Sequence, residues 1–253
     1  MNIRGALLFA LILAQLGAFV SAQGSKSALF FDGVDDVSLV GYAPPGINAV
    51  SNSFTMELWV RPTLSRSATA ESTSGANGVF SGQRYAVFPD NGALGYGSDV
   101  HAGVGLSIGN NGISVFEHSA GYLPSVLVYD QVLAGWHHVA VVYNLGQPTL
   151  FVDGIEVRSR GASGRIVHPS IQLGDYTNSS SGYGHYGGYM DEFRVWNRAL
   201  TQEEIRHKMT ERLAGTEPGL VAYYRLDEGA DNTCPGGLDV CDASGNGNHG
   251  VKQ

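Results

Sequence analysis

Ser53-Phe54-Thr55-Met56-Glu57-Leu58-Trp59-Val60 alternates, with Phe54, Met56, Leu58 and Val60 on one face, and Pro62 closes the run. A period of two is that of a strand with one buried apolar face. Working outward, Gly135-Trp136-His137-His138-Val139-Ala140-Val141-Val142-Tyr143 reads as a second strand. Thr149-Leu150-Phe151-Val152, Asp153-Gly154 and Ile155-Glu156-Val157-Arg158 read as a hairpin, because Asp-Gly favours the type I′ turn whose twist matches paired strands. Shorter strands are predicted over 78–80, 85–88, 103–108, 113–117 and 125–129, with turns at Asn91-Gly92 and Asn111-Gly112. So many short strands predict an all-β sandwich or barrel. One short helix is predicted near the C-terminal end: Thr201 and Glu204 make a capping-box pattern, Ile205, Met209 and Leu213 follow at helical spacing, and Gly215 stops it. Exposed loops are expected over 66–78 and 174–188.

Composition agrees. Glycine occupies 35 of 253 positions, about twice the usual ~7%, and only 15% of residues are charged. Coiled coils need dense charge and little glycine, and the glycines lack the three-residue period of collagen. With 12 Tyr, 10 Phe and 3 Trp, the chain has the aromatic content of a packed core rather than of a disordered polymer.

The first 22 residues read as a secretory leader. Arg4 supplies the positive start, 6–20 is apolar apart from Gln15 and Gly17, and Val20-Ser21-Ala22 offers small residues before a cleavage at Gln23. The competing reading, an uncleaved anchor, meets a run that is short for a span of about 20 residues. No later segment is long enough to span a membrane. Removing the leader removes Arg4 and no acidic residue, so 14 basic against 23 acidic side chains leave a charge of −9. From Tyr85 to Val157 there is no Lys or Arg. Nucleic acid is thereby excluded as a partner, since its binding needs a basic face. A secreted or extracellular location is expected. There, Cys234 and Cys241 are expected to close a small loop as a disulfide; their spacing and lack of His neighbours suit zinc poorly. Asn178-Ser179-Ser180 is a glycosylation sequon.

Four ordered stretches resemble the laminin-G-like, concanavalin A-like jelly-roll family, with pentraxins as more distant relatives. They are Ala28-Leu29-Phe30-Phe31-Asp32-Gly33-Val34-Asp35-Asp36-Val37, then 54–62, then 135–143 continued by Phe151-Val152-Asp153-Gly154, then Gly187-Gly188-Tyr189-Met190-Asp191-Glu192-Phe193-Arg194-Val195-Trp196-Asn197-Arg198-Ala199-Leu200-Thr201. The resemblance covers about residues 28–213 and implies a two-sheet antiparallel jelly roll, its domain set at 23–213. Residues 214–253 form a tail. Its 219–229 and 242–250 resemble the lead-in strand that often precedes such a domain, and an apolar strand such as 220–226 is expected to pair back rather than stand as an exposed edge.

The resemblance also implies that the first and last strands lie side by side, which would bring Asp36 near Asp191. Asp32, Asp35, Asp36 and Asp191 are therefore the candidate ligands for a structural calcium, a hard cation that takes carboxylate and carbonyl oxygens. Read without calcium, Asp32-Gly33 is a turn and Asp191 a strand-end cap. In the pentraxin-like relatives the ligand sits in loops at one face; the corresponding segment here is 174–188. Asp175 and Asn178 would be its oxygen donors, with Asp175 its only carboxylate, too few for a second, ligand-bridging calcium. Tyr176, Tyr183, Tyr186 and His185 suit a sugar, which presents C–H faces and hydroxyl edges. The alternative is that these rings pack the loop onto the sheet, the reading given to Tyr189. His137 and His138, as strand neighbours, point to opposite faces and do not share an ion. Trp59, Trp136 and Trp196 are read as core.

The leading functional expectation is a secreted, non-catalytic module that binds a glycan or glycoprotein, with calcium. The alternatives are a protein–protein adhesion module and a glycoside hydrolase. The hydrolase needs two carboxylates about 5–9.5 Å apart across a cleft. The Glu-x-Asp-x-x-Glu pattern is absent, and Glu57 and Glu117 stand alone in their strands.

Overall fold

The computed structural model describes residues 27–36, 38–39, 44–78, 82–89, 100–174, 184–228 and 233–252. The leader, the predicted strand residues 79 and 80 and the Asn91-Gly92 turn lie outside them. Gly78 sits in a turn, not in a strand.

In chain order the elements begin with β1 (Leu29–Asp32), β2 (Ser38–Leu39), α1 (Pro45–Asn48), β3 (Phe54–Pro62), β4 (Tyr85–Phe88) and β5 (His101–Gly109). Next come β6 (Gly112–His118), β7 (Ser125–Tyr129), β8 (His137–Asn144), β9 (Gln147–Val152), β10 (Ile155–Ser159) and β11 (Ile166–Pro169). The chain then forms β12 (Gln172–Leu173), β13 (Gly187–Trp196), α2 (Gln202–Lys208), β14 (Leu220–Tyr224) and β15 (Val251–Lys252). One sheet has the order β1-β13-β3-β8-β9-β10, with β14 also on β13; the other has β15-β2-β12-β4-β5-β6-β7, with β11 on β5. The β11–β5 pair is parallel and the other described strand pairs are antiparallel. This is the two-sheet jelly roll.

The alternation in β3 decides the layering. Phe54, Met56, Leu58 and Val60 face inward with Val139, Val141 and Tyr143 of β8, and meet Val104, Leu106, Ile113 and Val115 of the other sheet in one buried core. The β9–β10 hairpin turns through Asp153 and Gly154, both at positive φ (51° and 71°), as Asp-Gly requires.

A second apolar layer covers the outer face of the first sheet. Ala140, Val142, Phe151, Trp196 and Tyr223 pack there against Leu200, Ile205 and Leu213 from α2 and its flanks. The helix starts at the expected capping box: Glu204 N–H donates to Thr201 Oγ1, and Thr201 N–H donates to Glu204 Oε2. It ends sooner than its apolar spacing suggests, with Met209 as the C-cap. The sheet explains why. Arg194 Nη1 donates to the Lys208 carbonyl (2.7 Å), Arg194 Nη2 to Glu211 O (2.5 Å) and Trp59 Nε1 to Met209 O (2.8 Å). Carbonyls that would accept the next helical turn are bound from below instead.

The tail pairs back. β14 adds to β13, with Phe193 opposite Tyr224, and β15 adds to β2 in the other sheet. Cys234 and Cys241 are joined as a disulfide, with Cα atoms 5.4 Å apart.

Candidate functional site

At the end of β1, Asp32 opens a tight loop. Its Oδ1 accepts from Val34 N–H (2.7 Å), and its own N–H donates to Asp36 Oδ2 (2.6 Å). Gly33 holds φ = 83°, where a Cβ would be strained. The loop rests on Gly174: a Cβ there would come within 2.6 Å of the Asp36 carbonyl. The result places carboxylate oxygens of Asp32, Asp35 and Asp36 all within 4.8 Å of one another, with Asp32 and Asp35 exposed and Asp36 half-buried. An all-oxygen donor set of three carboxylates fits calcium and suits softer metals poorly.

His185 adjoins this loop. Burial lowers its pKa, against an upward pull from Asp35, Asp32 and Asp36 and a further lowering by Arg84. Arg84 Nη1 reaches His185 O (3.1 Å) and Gly33 O (3.5 Å), tying the two segments together from behind.

Asp191 does not join them. β1 and β13 do lie side by side, but in a register that sets Asp32 opposite Gly187. Asp191 is four residues further along, about 13 Å away at strand rise, buried and paired with Trp59 of β3. Tyr186 is also displaced from its expected role. It is fully buried, edge-on to Phe31 (centroids 5.9 Å apart), and its hydroxyl donates to Tyr189 O (3.1 Å). In the residues described, its ring packs the core and offers no face to a sugar. Asp175, Tyr176, Asn178 and Tyr183 lie outside the described residues.

The outer face of the first sheet holds two further features. The first is a buried polar network under α2. β13 bulges between Asp191 and Arg194, and Glu192 takes φ = 54°. A bulge inserts one extra residue and re-aims its neighbours; here it returns Arg194 to the outer face opposite Glu57. Arg194 Nη2 meets Glu192 Oε2 (2.5 Å) and Nη1 lies 3.5 Å from Glu57 Oε1. Trp196 Nε1 donates to Glu57 Oε1 (3.0 Å) and the Tyr223 hydroxyl to Glu192 Oε2 (2.6 Å). Burial raises the Glu57 pKa, only partly offset by Arg194, and drives His138 down to about 3.

The second feature is an aromatic group on the surface. Trp136, read from sequence as core, is half-buried and packs against half-buried Tyr189 (6.3 Å), not into the sandwich. The cause is its position: it precedes β8 on the outer face, beyond the reach of the α2 layer. Trp59 and Trp196, under that layer, are buried as expected.

Glu57 and Glu117 do not face each other. Glu57 lies on the outer face of the first sheet. Glu117 shares the inward face of Ile113 and Val115 and accepts from Tyr143 Oη (3.0 Å), Tyr122 Oη (3.0 Å) and Ser163 Oγ (2.6 Å). These two carboxylates share no cleft, as a hydrolytic pair must.

Two twisted sheets with a helix locked on one outer face and an acidic loop at the rim define a concanavalin A-like sandwich. The chain belongs to the concanavalin A-like lectin/glucanases superfamily, whose laminin-G model matches residues 32–206. No curated protein matches it. Among solved structures it is similar to a Bacteroides ovatus protein with an inferred carbohydrate-binding role (19% identity, TM-score 0.56). The match covers 88% of this chain and 57% of that one, so this chain spans little more than half its length. It is also similar to the CBM40 of the Ruminococcus gnavus IT-sialidase, bound to α2,3 sialyllactose (14% identity, TM-score 0.46, covering 73% of this chain and 98% of that one). A heptameric SAP-like pentraxin from Limulus polyphemus matches at 12% identity and TM-score 0.45, covering 72% of this chain and 80% of that one.

Proposed function

We propose that this chain is a non-catalytic carbohydrate-recognition module acting outside the cell, with calcium at the rim. The observation that carries the reading is the convergence of Asp32, Asp35 and Asp36 within 4.8 Å beside His185. Three carboxylates would hold the ion, and the rim would present it next to the tyrosine-bearing segment 174–188. That segment would contribute Asp175, Tyr176, Asn178 and Tyr183 to the glycan. The Cys234–Cys241 disulfide suits an oxidising compartment, in keeping with the leader-like start. Membership in a superfamily of lectins and glucanases supports a sugar as the ligand.

The test is a glycan array run in calcium and in EDTA. Binding that is competed by free sugar and falls in EDTA supports the reading. Absence of any glycan signal, together with saturable binding to a defined extracellular protein, overturns it in favour of an adhesion module.

A further inference from the structure

Four side chains form a row across the outer face of the first sheet. The register sets Phe30 of β1 opposite Tyr189 of β13, and Tyr189 opposite Arg61 of β3. His137 pairs with Val60, which puts Trp136 beside Arg61 on the far side of β3. The ring centroids of Phe30 and Tyr189 are 4.9 Å apart, those of Tyr189 and Trp136 are 6.3 Å apart, and the Arg61 guanidinium carbon stands 5.5 Å from the Tyr189 centroid. None of the four is buried: Phe30 is 50% exposed, Arg61 is exposed, and Tyr189 and Trp136 are half-buried.

The row is bounded. Trp59, two residues before Arg61 on the same face, is capped by the segment after α2 through its bond to Met209 O. That segment makes a wall along one side of an aromatic floor. Asp32, two residues beyond Phe30, marks the other side, where the acidic rim begins. Three rings spaced by 4.9 and 6.3 Å and tilted by 49° and 55° to one another form a stepped apolar surface, of the kind on which the C–H faces of sugar rings pack. Core packing does not account for them, because they face away from it.

Arg61 decides the chemistry of the ligand. Among the described residues no carboxylate lies within ion-pair distance of it, in a chain whose net charge is −8. Its guanidinium carbon stands 5.5 Å from the Tyr189 centroid and the residue is exposed, so its N–H fork, whose geometry matches a carboxylate, is open to solvent. The acidic rim is about 12 Å away by strand rise and spacing, beyond the screening length of physiological salt.

We propose that this row is a second glycan subsite, separate from the calcium rim, and that it takes a carboxylate-bearing sugar: rings stack on Trp136, Tyr189 and Phe30, and the carboxylate pairs with Arg61. It rests on the carbohydrate-recognition reading but not on calcium.

The experiment measures affinity of the full chain for sialylated and uronate-containing oligosaccharides and for their carboxyl-reduced counterparts, each in calcium and in EDTA. Carboxylated ligands bind at least tenfold tighter than the reduced ones, and this preference survives EDTA. Trp136→Ala and Tyr189→Ala each weaken binding at least tenfold, while Arg61→Gln, an exposed and conservative change, abolishes the preference for the carboxylate. Thermal unfolding of each variant stays within about 4 °C of wild type. Equal binding of acidic and reduced ligands, or affinity unchanged in all three variants, overturns the subsite. Binding that survives them but is lost in EDTA or in Asp36→Ala overturns it while leaving the rim reading intact. No binding to any glycan overturns both.

Discussion

The indole N–H of Trp59 donates to the main-chain carbonyl of Met209 at 2.8 Å, so a β3 side chain fixes where α2 stops. The ring is 2% exposed. Trp59→Ala loses both the bond and the packing and is expected to cost roughly 3–5 kcal/mol. Trp59→Phe keeps most of the bulk and is expected to cost about 1 kcal/mol, the net value of one hydrogen bond. Trp136→Ala, on the half-buried surface row, is expected to cost no more than about 1 kcal/mol. Denaturant unfolding of the three variants checks the order; a Trp136→Ala loss equal to that of Trp59→Ala would place both rings in one core.

Arg194 is the only cation paired with Glu57 and Glu192 among the described residues. Arg194→Met leaves both carboxylates buried without a counter-charge, at an expected cost of about 3–5 kcal/mol. Adding Glu57→Gln and Glu192→Gln to Arg194→Met removes those charges, so the triple variant regains part of the loss. Equal stability of the single and triple variants would show that charge is not what the network balances.

The layering was legible because a period of two states which residues share a face. Phe54, Met56, Leu58 and Val60 belong to the core for that reason. The same pattern is silent on whether the opposite face is covered. Trp59 and Trp136 both face outward, and only the extent of the α2 segment separates a buried indole from a surface one. Strand order could be read from the family resemblance, but register could not. The resemblance implies Asp191 near Asp36, yet the β1–β13 register sets Asp32 opposite Gly187, four residues short of Asp191. The Glu192 bulge was equally invisible, since it needs one unpaired residue in αL and no sequence pattern marks it. The convergence of Asp32, Asp35 and Asp36 is local: three acids within five residues of one loop meet whatever the register.

Two adjacent histidines are expected to respond oppositely to pH. The hydrogen bond to Asp153 Oδ2 (2.8 Å) raises the His137 pKa, with burial opposing it. Its stabilisation is complete below the ordinary value near 6.5 and fades as pH rises through the folded value. Burial, aided by Arg194, depresses His138 to about 3, so its stabilisation is present above about 6.5 and is lost as pH falls. Between pH 7 and pH 5 that loss is about 2 kcal/mol. Unfolding free energies at the two pH values therefore drop by about 2 kcal/mol more in wild type than in His138→Gln. Identical pH slopes would mean that His138 is not held neutral. Asp153→Asn lowers the His137 titration midpoint seen by NMR.

The rim makes its own thermodynamic prediction. An ion bound only by the folded chain stabilises it by RT ln(1 + [L]/Kd), about 2.7 kcal/mol at a hundredfold excess over Kd. For a domain of this size that is roughly 5–10 °C in melting temperature. Calcium is expected to raise the melting temperature of wild type and EDTA to reverse it, while Asp36→Ala responds to neither. Magnesium, which demands a tighter octahedral shell and gives up water reluctantly, shifts wild type less at equal concentration. Asp191→Asn, far from the loop by register, keeps the full calcium response. A response abolished by Asp191→Asn and retained by Asp36→Ala would move the ion off the rim and onto the sheet.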